Sequence, residues 1–258
     1  MEDIHYMQIW NEIDELDGLS MIEKIQKKEL TAYDLVSHSI EKIKSLNGEL
    51  NAVIYTMFEE ALAKAKEQED LNKFPIPTLI KELNDIKGHP TTQGSRLLKN
   101  YIPEKNDVIV ERLSEAGFIF LGKTNSPEFG FLPTTEPELF GPTKNPWKLS
   151  NSSGGSSGGA AVAVATGMVP FAQASDGGGS IRIPSAYCGV FGLKPSRGRL
   201  PYSDYFNQLS TNHVVSNSVR DSAFVLDILQ GGGNADTFPT FKKEGSFLQA
   251  LDEKPKRL

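Results

Sequence analysis

The segment from Gly154 to Pro195 reads GGSSGGAAVAVATGMVPFAQASDGGGSIRIPSAYCGVFGLKP, and the fold is organised around it. Two turns rich in serine and glycine, GGSSGG and SDGGGS, flank a run rich in Ala and Val. Ten of the chain's 23 glycines lie in this segment, so the enrichment is local. Glycine is needed where the backbone takes a positive φ or closely approaches another group. Serines held in such turns are candidate nucleophiles.

Helices and strands are predicted to alternate around these turns. AAVAVATGM predicts a helix and VPFAQASD a strand, while the apolar run FPIPTLI upstream predicts a buried strand that ends at Lys81. DVIVERLSEAGFIFLGKTN predicts a helix followed by a strand from Phe118 to Leu121, and SVRDSAFVLDILQGGG an amphipathic helix stopped by glycines. This alternation predicts an α/β fold with a mixed, mostly parallel central sheet flanked by helices.

The N-terminal quarter has a different pattern. Residues 19–70 are predicted to be mostly helical, with Thr31 as an N-cap and Asn47 and Gly48 as a stop signal. A second helix is predicted through MFEEALAKAKEQED, whereas PTTEPELFGPTKNPWKLSNSS predicts an irregular surface loop. We therefore expect an N-terminal helical portion at residues 1–72 and a core at residues 73–258.

Composition narrows the class of protein. The 258 residues carry a formal net charge of −6 and contain no basic tract, which argues against nucleic acid and anionic membranes as partners. No run approaches about 18 apolar residues, and the acidic N-terminus lacks the pattern of a signal peptide. The single cysteine, Cys188, cannot form an internal disulfide, which fits a reducing, cytoplasmic location.

A serine nucleophile requires a base. The four histidines, His5, His38, His89 and His213, show no motif spacing with Asp and Ser, and a G-x-S-x-G elbow is absent. A lysine is the alternative base, and Lys81 at the end of a buried strand would lose its proton more easily because burial disfavours the charged form. A lysine after a strand is more often simply solvated, so the residues alone leave both interpretations open.

The glycines before Ser180 offer a second functional element. Gly177 to Ser180 provide successive backbone N–H groups with little side chain in the way, which suits an oxyanion. A tight strand-to-loop turn would have the same composition. A phosphate site is disfavoured because neither G-x-x-x-x-G-K-[ST] nor a strand–G-x-G-x-x-G–helix unit is present.

These motifs together resemble the amidase signature family of serine hydrolases, which act on carboxamides. GGSSGG and SDGGGSIRIPSAYCGVFGLKP match its signature, and PTLIKELNDIKGHPTTQGSRLL resembles its lysine segment. GKTNSPEFG, FGPTKNPW and HVVSNSVRDSAFVLDILQG are also similar to family segments, so the resemblance runs from about Thr31 to Gly231. It implies an amidase that hydrolyses a non-peptide C–N bond of a small amide, without metal or organic cofactor.

The resemblance implies a Ser–cis-Ser–Lys triad and a covalent acyl-enzyme. Ser180 matches the nucleophile, Lys81 the base and Ser156 the bridging serine, which lies 24 residues before Ser180 and follows a cis peptide bond in the family. The oxyanion hole of the family corresponds to the backbone amides of Gly177, Gly178, Gly179 and Ser180. The supporting positions of the family correspond to the side chains of Ser157, Asp176 and Arg182.

Some positions depart from the family pattern. Ser153 stands where a proline is common, and Glu82 where an aspartate often follows the lysine. Gly177 and the sequence around His213 are more similar to 6-aminohexanoate cyclic dimer hydrolases than to the glutamine-using component of tRNA-dependent amidotransferases. The alternatives are an inactive truncated remnant and the glutamine-hydrolysing component of such an amidotransferase.

Family members continue past residue 258, so the chain resembles an N-terminal portion whose C-terminal part is missing. DEKPKRL resembles a linker into a further strand. An uncovered strand edge with apolar surface is a liability. We therefore expect a truncated product or one piece of a split enzyme, completed by a second chain or by a further copy of this one.

Overall fold

The computed structural model describes residues 12–67, 73–201, 209–232 and 244–254. His5, the last residues of the predicted second helix (68–70) and the end of the expected linker (255–258) lie outside the described residues. The expected boundary at residue 72 lies outside them as well and stays a prediction.

Helices and strands alternate through the described ranges. The helices are α1 Gly18–Gln26, α2 Ala32–Leu50, α3 Phe58–Glu67, α4 Val108–Glu115, α5 Gly158–Ala165, α6 Arg182–Cys188 and α7 Val219–Leu229. The strands are β1 Val53–Thr56, β2 Pro77–Lys81, β3 Ile119–Thr124, β4 Phe171–Asp176, β5 Phe191–Gly192 and β6 Thr211–Ser216. Short 3₁₀ turns occupy Arg96–Leu98, Glu128–Gly130 and Gln249–Asp252.

The strands pair in two groups, in the orders β1-β3-β2 and β4-β6-β5. The groups meet where β2 packs on β4: Thr78 Oγ1 donates to Phe171 O at 3.0 Å, and Lys81 N donates to Gln173 Oε1 at 3.0 Å. The α/β class and the mixed sheet are confirmed. A mostly parallel sheet was expected, but among the described strand pairs only β2–β3 is parallel and the other three are antiparallel. Helix α4 lies in the crossover between β2 and β3.

Helix α2 begins where the sequence predicts but ends later. Thr31 is its N-cap and forms a capping box. The predicted stop at Asn47 and Gly48 is wrong, because the helix continues to Leu50 and closes with Asn51 in the left-handed conformation. Asn47 uses its side chain instead: its Oδ1 accepts from the amide of Val53 and its Nδ2 donates to the carbonyl of Val53, both at 2.8 Å. The polar side chain therefore anchors β1 rather than ending α2.

Three strands, β1, β5 and β6, lie where the sequence patterns predict none. β1 pairs antiparallel with β3, although it falls inside the region predicted to be mostly helical. β6 lies between β4 and β5 and is buried along its whole length. A His and an Asn within TNHVVS break the apolar pattern on which strand prediction rests.

Helix α5 follows the GGSSGG turn, leads to β4 and the second glycine turn, and is buried on all sides over Gly158–Val164. Its sequence GGAAVAVA contains only small or β-branched residues, which lets neighbouring backbone approach closely. A Cβ at Gly159 would lie 2.5 Å from both Ala52 O and Asn125 N, so a larger residue does not fit there. The small residues therefore fix the distance between α5 and the strands, and with it the placement of the GGSSGG turn.

The helices of the described ranges include none that is both long enough and apolar enough to cross a membrane.

Candidate active site

Lys81 is the last residue of β2 and its side chain is fully buried. Its Nζ donates to Ser156 Oγ at 2.7 Å and to Ser175 Oγ at 3.1 Å. Among the described residues no carboxylate forms an ion pair with it. Burial lowers the pKa of Lys81 to about 7, and the more distant Asp176 offsets this only in part. A large fraction of Lys81 is therefore neutral at physiological pH and able to accept a proton.

Ser156 lies in the GGSSGG turn, directly after a cis peptide bond between Gly155 and Ser156. The turn packs tightly against the irregular loop before it, since a Cβ at Gly155 would lie 2.5 Å from Thr134 O. Thr135 Oγ1 donates to Gly154 O at 2.9 Å and holds the turn from the same side. The loop that the sequence predicts as irregular surface thus forms the support for a buried serine.

Ser180 lines the same cavity as this turn. The cavity has a volume of about 560 Å³, and Ser156, Ser175 and Ser180 all contribute to its wall. The two glycine turns are tied together by a hydrogen bond from Ser157 N to Ser180 O at 3.2 Å. Within the described ranges no hydrogen bond joins the hydroxyls of Ser156 and Ser180. The structure therefore links Lys81 directly to Ser156 and brings Ser180 to the same cavity.

The glycine turn before Ser180 is organised by a buried carboxylate. Asp176 Oδ1 accepts from the amide of Gly179 at 2.7 Å, and Oδ2 accepts from the amide of Ile181 at 3.2 Å. The Gly179 amide is thereby occupied within the protein, which differs from the sequence expectation that it faces an oxyanion. Gly177 and Gly178 line the cavity with Ser180, so the donors available to a ligand come from these three residues.

Arg182 holds Asp176 in place. Its Nε and Nη2 donate to the two carboxylate oxygens at 2.9 and 3.0 Å, a bidentate arrangement. Burial raises the pKa of Asp176, but the hydrogen bonds from Arg182 and from the amides of Ile181 and Gly179 outweigh it, and the pKa is lowered. Asp176 is therefore ionised, and with Arg182 it orders the turn.

Ser157 connects the same turn to β4. Its hydroxyl donates to Ser175 O at 3.3 Å and accepts from Ser175 N at 3.5 Å. The three supporting positions expected from the sequence thus contact the turns and the end of β4 through hydrogen bonds.

The sequence interpretation missed three polar residues near Lys81. Ser175 contacts its amine, and Gln173 Oε1 accepts from its backbone amide. Gln173 Nε2 in turn donates to Asn212 Oδ1 at 3.0 Å, and Asn212 lines the cavity. Gln173 and Ser175 are two residues apart on β4, and alternate residues of a strand share a face. That spacing is the signal that could have identified them.

The described histidines have partners elsewhere. His38 contacts Asp14, His89 contacts Tyr55, and His213 contacts Ser222 on α7. None of these three lines the cavity. In the part of the chain that the structure describes, no three His, Cys, Asp or Glu side chains cluster in a way that could hold a metal ion.

The comparisons with known proteins show the family of the chain. The amidase family model matches residues 34–258. An acylamidase from Rhodococcus erythropolis is 39% identical over 246 residues, which cover 91% of this chain and 52% of that protein. A 6-aminohexanoate-cyclic-dimer hydrolase from Paenarthrobacter ureafaciens is 38% identical over 251 residues, covering 93% of this chain and 50% of the relative.

The comparison with solved structures points to the same family. A solved structure of a 6-aminohexanoate cyclic dimer hydrolase with substrate superposes with a TM-score of 0.87 at 34% identity, covering 93% of this chain and 52% of that one. The chain thus spans about half the length of the relatives that it matches. The buried lysine, the two serine turns and a family match over residues 34–258 lead to one conclusion: the chain belongs to the amidase signature family.

Proposed function

We propose that the protein is an amidase that hydrolyses the C–N bond of a small linear or cyclic carboxamide. In this proposal Ser180 is the nucleophile, Ser156 relays the proton and Lys81 is the base. The observation that carries the proposal is the contact of 2.7 Å between the fully buried amine of Lys81 and the hydroxyl of Ser156. An amine whose pKa is lowered to about 7 is matched to a base that works near neutral pH.

The first half-reaction forms an acyl-enzyme. Neutral Lys81 takes the proton of Ser156, Ser156 takes the proton of Ser180, and Ser180 Oγ attacks the carbonyl carbon of the amide. Ser156 Oγ and Ser180 Oγ must approach each other for this transfer, which we expect to occur when substrate fills the cavity. The tetrahedral intermediate then collapses, the C–N bond breaks, and the relay returns the proton to the leaving nitrogen.

The oxyanion of that intermediate would be bound by backbone amides at the rim of the cavity. Gly177, Gly178 and Ser180 supply the candidate donors, while Gly179 keeps its bond to Asp176. One such donor contributes about 3–4 kcal/mol to transition-state stabilisation in other enzymes. Water activated through the same relay then cleaves the ester of Ser180 and releases the acid.

The cavity wall supports a substrate with an apolar portion. The three serines form one part of the wall, and Phe129, Phe131 and Leu132 contribute apolar side chains to another. The relatives named as an acylamidase and a cyclic dimer hydrolase agree with an amide substrate, which we propose here as well.

Replacing the nucleophile tests the proposal. Ser180→Ala in the full-length protein should reduce amide hydrolysis by about 10⁴-fold or more and abolish labelling by a serine-reactive fluorophosphonate. Ser196→Ala is the matched control, because Ser196 is exposed and lies in the loop after the signature. Undiminished hydrolysis by Ser180→Ala would refute the assignment.

The substrate panel separates the remaining alternatives. Hydrolysis of simple amides without glutamine turnover supports the amidase. Ammonia release from glutamine alone would instead favour the glutamine-hydrolysing component of an amidotransferase. Absence of labelling and of all turnover in the wild-type full-length protein would favour an inactive remnant.

A further inference from the structure

A buried ion pair lies directly beside Lys81. Glu82 follows Lys81 in the chain, and its Oε2 lies 3.1 Å from Lys123 Nζ. The side chains of Glu82 and Lys123 are 1% and 0% exposed. A fully buried ion pair is costly to desolvate and is retained only where its geometry is well satisfied. This pair is adjacent in the chain to the buried amine of Lys81.

The two charged groups are satisfied by one loop. Lys123 Nζ donates to Pro90 O at 3.0 Å and to Thr91 Oγ1 at 2.6 Å. Glu82 Oε1 accepts from both the amide and the hydroxyl of Thr92, each at 2.7 Å. Lys123 Nζ thus has two hydrogen-bond acceptors in this loop and faces Glu82 Oε2 as an ion pair, while Glu82 Oε2 itself accepts no hydrogen bond among the described residues. Residues 90–92 are therefore clamped onto the ends of β2 and β3.

The clamp extends to the cavity. Gln93 follows the clamped residues, and its carbonyl accepts from the amide of Phe129 at 2.8 Å. Both Gln93 and Phe129 line the cavity. At the other end, Glu82 N donates to Thr124 O at 3.1 Å, which fixes the backbone immediately after Lys81. The ion pair thus connects the strand end that carries Lys81 with the part of the cavity wall formed by Gln93 and Phe129.

The side chains of Lys81 and Glu82 have separate partners. Lys81 contacts Ser156 and Ser175, whereas Glu82 contacts Thr92 and Lys123. We propose that the Glu82–Lys123 pair positions Lys81 and balances the negative charge beside it, so that Lys81 remains an amine without a carboxylate partner. This inference rests on the proposed function only for its catalytic consequence.

The charge balance follows from the groups around Lys81. Helix α5, which packs against β2, carries no titratable side chain. Asp176 on β4 is the charged group that acts on Lys81 among the described residues, Glu82 with its partner Lys123 follows Lys81 in the chain, and Asp85 and Asp107 lie in the cavity wall. Asp176 is already engaged by Arg182. Without Lys123, Glu82 would be the uncompensated charge one residue from Lys81.

The test measures the titration of Lys81 in the full-length protein. The Lys81 side-chain NMR resonance, assigned by its loss in Lys81→Met, is followed against pH in wild type, Glu82→Gln, Lys123→Met and the double variant. The pH profile of kcat/KM is recorded in parallel. Glu82→Asp is the conservative control, because it keeps the charge and shortens the side chain by one methylene.

The two single variants should move the titration of Lys81 in opposite directions. Lys123→Met leaves a carboxylate unpaired and should shift it upward by about one pH unit, whereas Glu82→Gln leaves an ammonium unpaired and should shift it downward by about as much. In the double variant and in Glu82→Asp, Lys81 should titrate near its wild-type pH. The acidic limb of the kcat/KM profile should shift in each variant in the same direction as the Lys81 titration.

A merely structural pair would not produce shifts of opposite sign. Unchanged titration in Glu82→Gln, or shifts in one common direction, would overturn the inference. If Lys123→Met does not fold, Glu82→Gln and the double variant still provide the downward shift and its reversal. Opposite shifts together with full activity of Lys81→Met would uphold the ion-pair effect and refute the proposed function, so the two failures are distinguishable.

Discussion

Lys81 and Lys123 are both fully buried, on the neighbouring parallel strands β2 and β3, yet their surroundings differ. Lys123 contacts the carboxylate of Glu82 and two oxygens of the 90–92 loop. Among the described residues, the amine of Lys81 forms hydrogen bonds only with the hydroxyls of Ser156 and Ser175. Burial lowers the pKa of both lysines. The carboxylate of Glu82 opposes this effect for Lys123, whereas the pKa of Lys81 is lowered to about 7.

The difference shows how one residue type serves two purposes in one core. A buried ammonium that is paired with a buried carboxylate cannot be removed alone without leaving the carboxylate buried and unpaired, so we assign Lys123 a structural role. A buried amine without a carboxylate partner is neutral near physiological pH and can take up a proton. The two lysines share their burial and differ in their partners, and this difference is the basis of the separate roles that we propose for them.

Replacing Lys81 should have the largest effect on activity. Lys81→Met should lower kcat/KM by about 10⁴-fold, because a positioned general base contributes up to roughly that factor. The free energy of unfolding should not fall, since an apolar side chain replaces a buried amine that has no charged partner. Kinetics and urea unfolding measure the two quantities. Lys87→Met, at an exposed lysine a few residues away, is the control.

Replacing Lys123, unlike replacing Lys81, should destabilise the fold. Lys123→Met should lower the free energy of unfolding by about 3–5 kcal/mol, because the carboxylate of Glu82 is left buried and unpaired. The same urea experiment measures it, with Lys87→Met again as reference. Equal stability of Lys123→Met and wild type would remove the contrast between the two lysines.

The pH dependence of activity should report Lys81 itself. Protonated Lys81 cannot accept a proton, so kcat/KM should decline as pH falls through about 7 and be retained as pH rises above it. Well below that value the loss should approach about tenfold per pH unit, or roughly 100-fold at about pH 5. A flat profile between pH 5 and 8, in protein that remains folded, would contradict a lysine base.

The smallest effect is expected from the second hydroxyl on Lys81. Ser175→Ala removes the contact of 3.1 Å to Nζ and should reduce kcat/KM by about tenfold, the value of one hydrogen bond of about 1.4 kcal/mol. Ser196→Ala should leave kcat/KM unchanged. A loss as large as that of Lys81→Met would mean that Ser175, rather than Ser156, is the main partner of the amine.

Part of the site could be predicted from local pattern. Lys81 ends an apolar run bounded by prolines, and Ser156 and Ser180 lie in turns that only glycine-rich sequence can form. The structure brings all three to one region, with the cis peptide bond before Ser156 that the resemblance implies. Their catalytic roles stay a prediction until they are tested.

Other features could not be predicted because they depend on distant partners. Asn47 has the sequence of a helix stop, but its side chain bonds Val53 and the helix continues. Gly179 was expected to face an oxyanion, but its amide bonds Asp176. Local propensity is weak compared with a hydrogen bond that tertiary packing makes available.

By itself the sequence determined the family, several of the helices and strands around the signature, and the candidate residues whose catalytic roles stay predictions. Those properties reside in short segments, where spacing and glycine content restrict the backbone. Only the tertiary structure decided that Glu82 and Lys123 are buried together and that the amine of Lys81 bonds the hydroxyls of Ser156 and Ser175, with no carboxylate partner in the described part of the chain. A charged residue in a sequence is expected at the surface, and its charge state becomes known only when the groups around it are in place.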